Sequence, residues 1–129
     1  LAENKPAKFT GSVDLDQHFK TCEPNSRRWD YGVGFKRGNV HFALWIEPHS
    51  ASSKREVDVM LEKLTWLKAK LQSPGYEDLA ALTEAARKKF DYPYRWMSTG
   101  KGSYRNGGKE HKRLAQKGMK LPESHIRVG

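Results

Sequence analysis

The sequence predicts an α/β domain of the α+β type, with one small mixed sheet whose central hairpin is flanked by helices. Three observations lead there. Residues 28–36 (RWDYGVGFK) and 40–47 (VHFALWIE) are dense in Val, Ile, Trp, Tyr and Phe and are separated by Lys36-Arg37-Gly38-Asn39, the composition of two strands joined by a turn. In residues 53–73 (SKREVDVMLEKLTWLKAKLQS), Val57, Met60, Leu61, Leu64, Leu67 and Leu71 keep helical spacing over several turns. A length of 129 residues suits one domain over 1–129 with a single modest core.

In chain order, residues 1–11 (LAENKPAKFTG) are expected as a polar lead-in. Ser12 is placed to N-cap a short helix through SVDLDQHFKTCE, with Val13, Leu15 and Phe19 roughly on one side, stopped by Pro24 and Asn25. The hairpin follows, and VHFALWIE is apolar enough to sit centrally in its sheet. Ser50, Ser52 and Ser53 are candidate caps for the leucine-striped helix of about 54–72, which Pro74 and Gly75 end. A second helix spans about 76–89 with Leu79, Leu82 and Ala86 inward, and YPYRWMSTG reads as a strand leaving the helix pair. A Gly-rich loop, a short basic helix over about 109–117 and an edge strand over 124–128 complete the expectation. Trp45 and Trp66 are expected in the core.

Composition narrows the function. Hydrophobic residues make up 36% and charged residues 30% of the chain, and no apolar run approaches the length needed to cross a bilayer. The chain begins at Leu1 and shows no signal-peptide pattern. Cys22 is the lone cysteine, so a disulfide within the chain and a cysteine-rich zinc site are excluded and a cytoplasmic setting is expected. His18, His41, His111 and His125 lack ligand-like spacing. The STGKGS stretch at 98–103 lacks the full phosphate-loop pattern and reads as a flexible loop.

A formal net charge of +9 favours polyanionic partners, nucleic acid first, then acidic protein surfaces or anionic lipid. The basic C-terminal region, 101–129, concentrates the excess: from Arg95 onward, Lys101, Arg105, Lys109, Lys112, Arg113, Lys117, Lys120 and Arg127 face only Glu110 and Glu123. Such a segment is either a solvated, partly disordered end or a phosphate-contacting surface, and Trp96 and Tyr104 among the bases suit stacking on unpaired bases.

Asp30 opens one hairpin strand and Glu47 closes the other, so pairing brings both carboxylates to one edge of the sheet. Two such groups repel, and the pair needs a cation, a shared proton or good solvation. An acid ending so apolar a strand is costly to desolvate without a partner. A hairpin carrying these acids just before a long amphipathic helix resembles the PD-(D/E)XK nuclease superfamily, with Asp30 as the first acid and Glu47 as the second. The resemblance covers about residues 12–100. It implies a restriction-endonuclease-like fold, and Asp14, Asp16 or Glu23 as an extra acid on the leading helix.

One position departs from that pattern. The family's lysine falls two residues after the second acid, where this chain has His49, in EPHSA. Members of the family can carry the lysine on the following helix instead, which makes Lys63 a candidate. Lys63 shares a stripe with Glu56 and Met60 but lies about 10 Å further along the helix than Glu56, a long reach to a scissile phosphate; His49 is nearer and can serve as general base, metal ligand or phosphate donor. The resemblance implies Mg²⁺ or Mn²⁺ held by Asp30 and Glu47, Lys63 or His49 positioning or deprotonating a water, and Arg27, Arg28 and Lys36 holding the substrate backbone. Lys101, Arg105, Lys109 and Lys112 extend the expected nucleic-acid surface, for DNA or RNA alike. Two other readings stand beside the nuclease: a non-catalytic basic nucleic-acid-binding module on the same fold, and an interaction domain that docks on an acidic protein.

Overall fold

The computed structural model describes residues 8–15, 19, 21–23, 25–90, 92–98 and 104–126. Its elements run β1 (Lys8–Asp14), β2 (Tyr31–Arg37), β3 (Val40–Pro48), α1 (Arg55–Leu71), α2 (Glu77–Phe90), β4 (Tyr94–Met97) and α3 (Lys109–Gln116). The four strands form one mixed sheet in the order β1-β2-β3-β4, antiparallel except for the parallel pair β3–β4. The hairpin β2–β3 is therefore at its centre. Gly38 takes a φ of 61° in the connecting turn, a conformation that glycine adopts without a Cβ penalty.

The register follows the side chains. Phe42 and Leu44 gather with Phe35, Ala85 and Ala86, while Trp45 joins the main cluster with Val57, Met60, Leu64 and Leu67 of α1, so both sides of β3 are covered. Trp45 lies directly over Gly32, its register partner on β2. A Cβ built on Gly32 would fall 2.4 Å from the indole ring, so only glycine leaves room. Trp45 Nε1 donates to Thr83 Oγ1 at 2.7 Å, and Ala86 reaches the Phe42 side, so α2 touches β3 on both of its faces. The leucine stripe of α1 buries Val57, Met60, Leu64, Leu67 and Leu71, and Trp45 and Trp66 both pack in this cluster, Trp66 at its margin.

Three expectations are corrected. Residues 8–14 form a strand, where the sequence reading placed a polar lead-in and then a helix capped by Ser12: β2 has an outer edge to pair, and β1 fills it from Lys8↔Lys36 to Asp14↔Tyr31. Leu15 and Phe19 are still buried in the main core. No serine side chain caps α1; Lys54 holds the N-cap position, and the helix carries Glu56 and Asp58 in its first turn, where acids complement the dipole. No strand forms over the described part of 124–128. Instead Met119 and Glu123 make single bridges to Tyr94 and Met97 along the outer edge of β4. Residues 104–126, left open above between a disordered end and a contacting surface, are folded against the body and include the expected short helix: Leu114 and Met119 are fully buried, Tyr104 donates to Ser53 O, and Arg113 pairs with Asp58 at 2.6 Å. The loop expected at 98–103 lies almost wholly outside the described residues. Among the described residues, no helix is long and apolar enough to cross a membrane.

Candidate functional site

Strand polarity makes the site. Because β1, β2 and β3 alternate in direction, the end of β1, the start of β2 and the end of β3 share one edge of the sheet, and Asp14, Asp30 and Glu47 stand there. The residue before Asp30 is the fully buried Trp29, which packs edge-on against Tyr94 and fixes where β2 begins. Leu15 N–H donates to Asp30 O at 2.7 Å, tying β1 to the same corner.

Glu47 is 0% exposed. It points to the side of the sheet that α1 covers, two residues beyond Trp45 on the same face of β3. Its Oε1 accepts the Asp30 backbone N–H at 2.7 Å, and its Oε2 accepts Lys63 Nζ at 2.5 Å. Burial pushes the carboxyl up to about 7; the Lys63 bond and charge offset part of that rise, and the nearby Asp30 carboxylate adds to it. A proton, a lysine or another cation is thus what this oxygen pair demands at neutral pH.

Lys63 reaches the site from the margin of the α1 stripe, next to buried Leu64. The long reach expected for it was measured along the helix from Glu56, but α1 lies over the end of β3, so the side chain extends across to the strand rather than along the helix. His49 has other partners. Its ring pairs with Glu56, its N–H donates to Met97 O at 3.0 Å, and its carbonyl accepts Trp96 Nε1 at 2.9 Å. The structure thus brings Asp30, Glu47 and Lys63 together and sets His49 with Glu56 beside them.

The extra acids divide. Asp14 is at the edge. Asp16 lies outside the described residues. Glu23 is engaged by Lys70 and Trp66, seven residues after Lys63 on α1 and about 10 Å along the helix. Lys70 first, against some burial, holds the Glu23 carboxyl below its ordinary value.

Arg27 pairs with Glu62 at 3.3 Å, both exposed, beside Lys63, and Arg28 donates to Glu23 O. Lys36 is corrected: it sits at the turn end of the hairpin, opposite His41, six residues and about 20 Å along β2 from Asp30, and does not serve this edge. Arg105, Lys109 and Lys112 are exposed on α3 and the segment before it, which docks on the first turns of α1. Lys101 lies outside the described residues. Glu56 was missed as a partner of His49, because the two meet across a loop and no local spacing marks the pair.

Among the described residues, no group of three His, Cys, Asp or Glu side chains gathers to hold an ion. Both groups of the Asp30–Glu47 pair are carboxylates, the hard donors that Mg²⁺ or Mn²⁺ takes, and Glu47 is buried with its two oxygens shared between the Asp30 N–H and Lys63. Comparison of the chain with protein-family models, with curated proteins and with solved structures finds no match.

Proposed function

We propose that the chain is a metal-dependent nuclease of the PD-(D/E)XK type, hydrolysing phosphodiester bonds of nucleic acid on a restriction-endonuclease-like sheet. The observation that carries the reading is the Lys63–Glu47 contact, which supplies from α1 the lysine missing two residues after Glu47. Asp30 and Glu47 would hold Mg²⁺ or Mn²⁺, which when bound lowers the pKa of a coordinated water and stabilises charge on the phosphoryl oxygens. Lys63 would orient the attacking water or donate to a phosphate oxygen. Arg27, at the rim, holds the strand. The free, exposed Cys22 fits a reducing, cytoplasmic setting.

A second reading has its own support: both oxygens of Glu47 are hydrogen-bonded, as a purely structural ion pair would have them, which suits a basic nucleic-acid-binding module without cleavage. The deciding assay incubates the protein with single- and double-stranded DNA and RNA, with Mg²⁺, with Mn²⁺ and with chelator. Metal-dependent cleavage of at least one substrate is expected, falling about 100-fold or more in Glu47→Gln and in Lys63→Met while binding persists. Salt-sensitive binding without cleavage supports the binding module. Absence of any binding leaves an interaction domain for an acidic protein.

A further inference from the structure

A second basic feature lies away from the acid edge. A cavity of about 540 Å³ opens where the last turns of α1, the middle of α2, the start of β4 and the end of α3 meet. It adjoins a smaller one of about 280 Å³ that shares Lys68, Thr83, Glu84 and Tyr94. The size falls in the range of small-molecule sites. It lies two residues back along β3 and β4 from the Glu47–Trp96 pair, about 7 Å down the sheet.

Its charges are arranged for an anion. Lys68 Nζ is half-buried, donates to the carbonyl of Lys117 at 2.8 Å and stands 5.4 Å from the centre of the Tyr94 ring. Its acceptor is neutral, and the neighbouring charge is the like charge of Lys117; burial first and Lys117 second hold its ammonium below the ordinary value. Glu84, the acid in the wall, is held by the Arg87 fork and leaves the two lysines uncompensated. Tyr92 stands partly exposed at the mouth with Lys120 Nζ 5.8 Å from its ring centre, and Gln116 adds an exposed side-chain amide. A phosphate between Lys68 and Lys117 relieves their repulsion, and a base attached to it has an aromatic face and an amide within the same walls.

We propose that this cavity binds a nucleotide, its phosphate on Lys68 and Lys117 and its base against Tyr92. The nucleotide is either free or one unit of a strand that continues to the acid edge. Binding needs no metal, so the site stands whether or not the chain cleaves nucleic acid.

The test uses the full chain carrying Glu47→Gln, in chelator, followed by NMR of the Tyr92, Tyr94 and Lys68 signals during titration with AMP, inorganic phosphate and a short oligothymidylate. Shifts at these residues with AMP, with the oligonucleotide or with both are expected, and the pattern tells a free nucleotide from a strand unit. Lys68→Met and, separately, the surface change Lys117→Gln should each weaken the effective probe about tenfold without lowering the melting temperature. Unchanged affinity in Lys117→Gln, no shift with any probe, or phosphate binding as tightly as AMP would overturn the proposal.

Discussion

Burying a carboxylate costs several kcal/mol unless hydrogen bonds and a counter-charge replace its water, and Glu47 meets part of that demand with one backbone N–H and one ammonium. With a folded-state pKa of about 7 against an ordinary 4.5, the native chain binds more protons at this residue than the unfolded chain does between those values. Stability contributed by Glu47 therefore falls as pH rises from 4.5 to 7, by at most about 3 kcal/mol. Glu47→Gln should remove that decline, which urea denaturation of the two proteins at pH 5 and pH 8 measures. Lys63→Met leaves the buried carboxylate without its cation. It should destabilise the fold by about 2 kcal/mol at pH 8 and by less at pH 5, where Glu47 takes up a proton instead; equal losses at both pH values would mean that Lys63 only packs. The acids at the hairpin ends were legible in the sequence because period and turn fix which ends meet. The partner of Glu47 was not, because a lysine's reach depends on how its helix crosses the strand, which no periodicity records.

At the scale of elements, the main helix and both hairpin strands follow from pattern, since the leucine stripe of α1 and the run VHFALWI each require an opposing apolar face. β1 did not follow. Its residues carry a capping serine and loose helical spacing, and the vacant edge of β2 outweighs both; a tertiary demand of that kind is invisible in a local window. The hairpin's tightest constraint is equally non-local. Gly32 is needed only because Trp45 lies over it across the ladder. Gly32→Ala should cost about 1–3 kcal/mol by forcing the indole aside, seen as a lowered melting temperature, whereas alanine at Gly11, which has open space around its Cβ position, should cost much less.

At the scale of the molecule, residues 104–126 fold back on α1, so the bases they carry lie on the surface of the domain rather than on a free tail. Charge alone predicts a polyanionic partner but not where it docks. Placement now separates the bases: Arg27 borders the acid edge, Lys109 and Lys112 project from α3 near the start of α1, and Lys36 lies at the far end of the hairpin. Under the proposed function, Lys109→Ala combined with Lys112→Ala should weaken nucleic-acid binding and reduce its salt dependence by about two phosphate contacts, while Lys36→Ala should leave the cleavage proposed for the acid edge unchanged. Titrations at several salt concentrations distinguish the two.

The most direct test of the account is where a divalent ion goes. Mn²⁺ titrated into the protein at pH 7.5 broadens the NMR signals of nuclei near the bound ion. Broadening centred on Asp30, Glu47 and Lys63, lost in Glu47→Gln and weakened as pH falls below 7 and the carboxyl protonates, is the expected result. No broadening at millimolar Mn²⁺, or broadening centred on His49 and Glu56 instead, would contradict it.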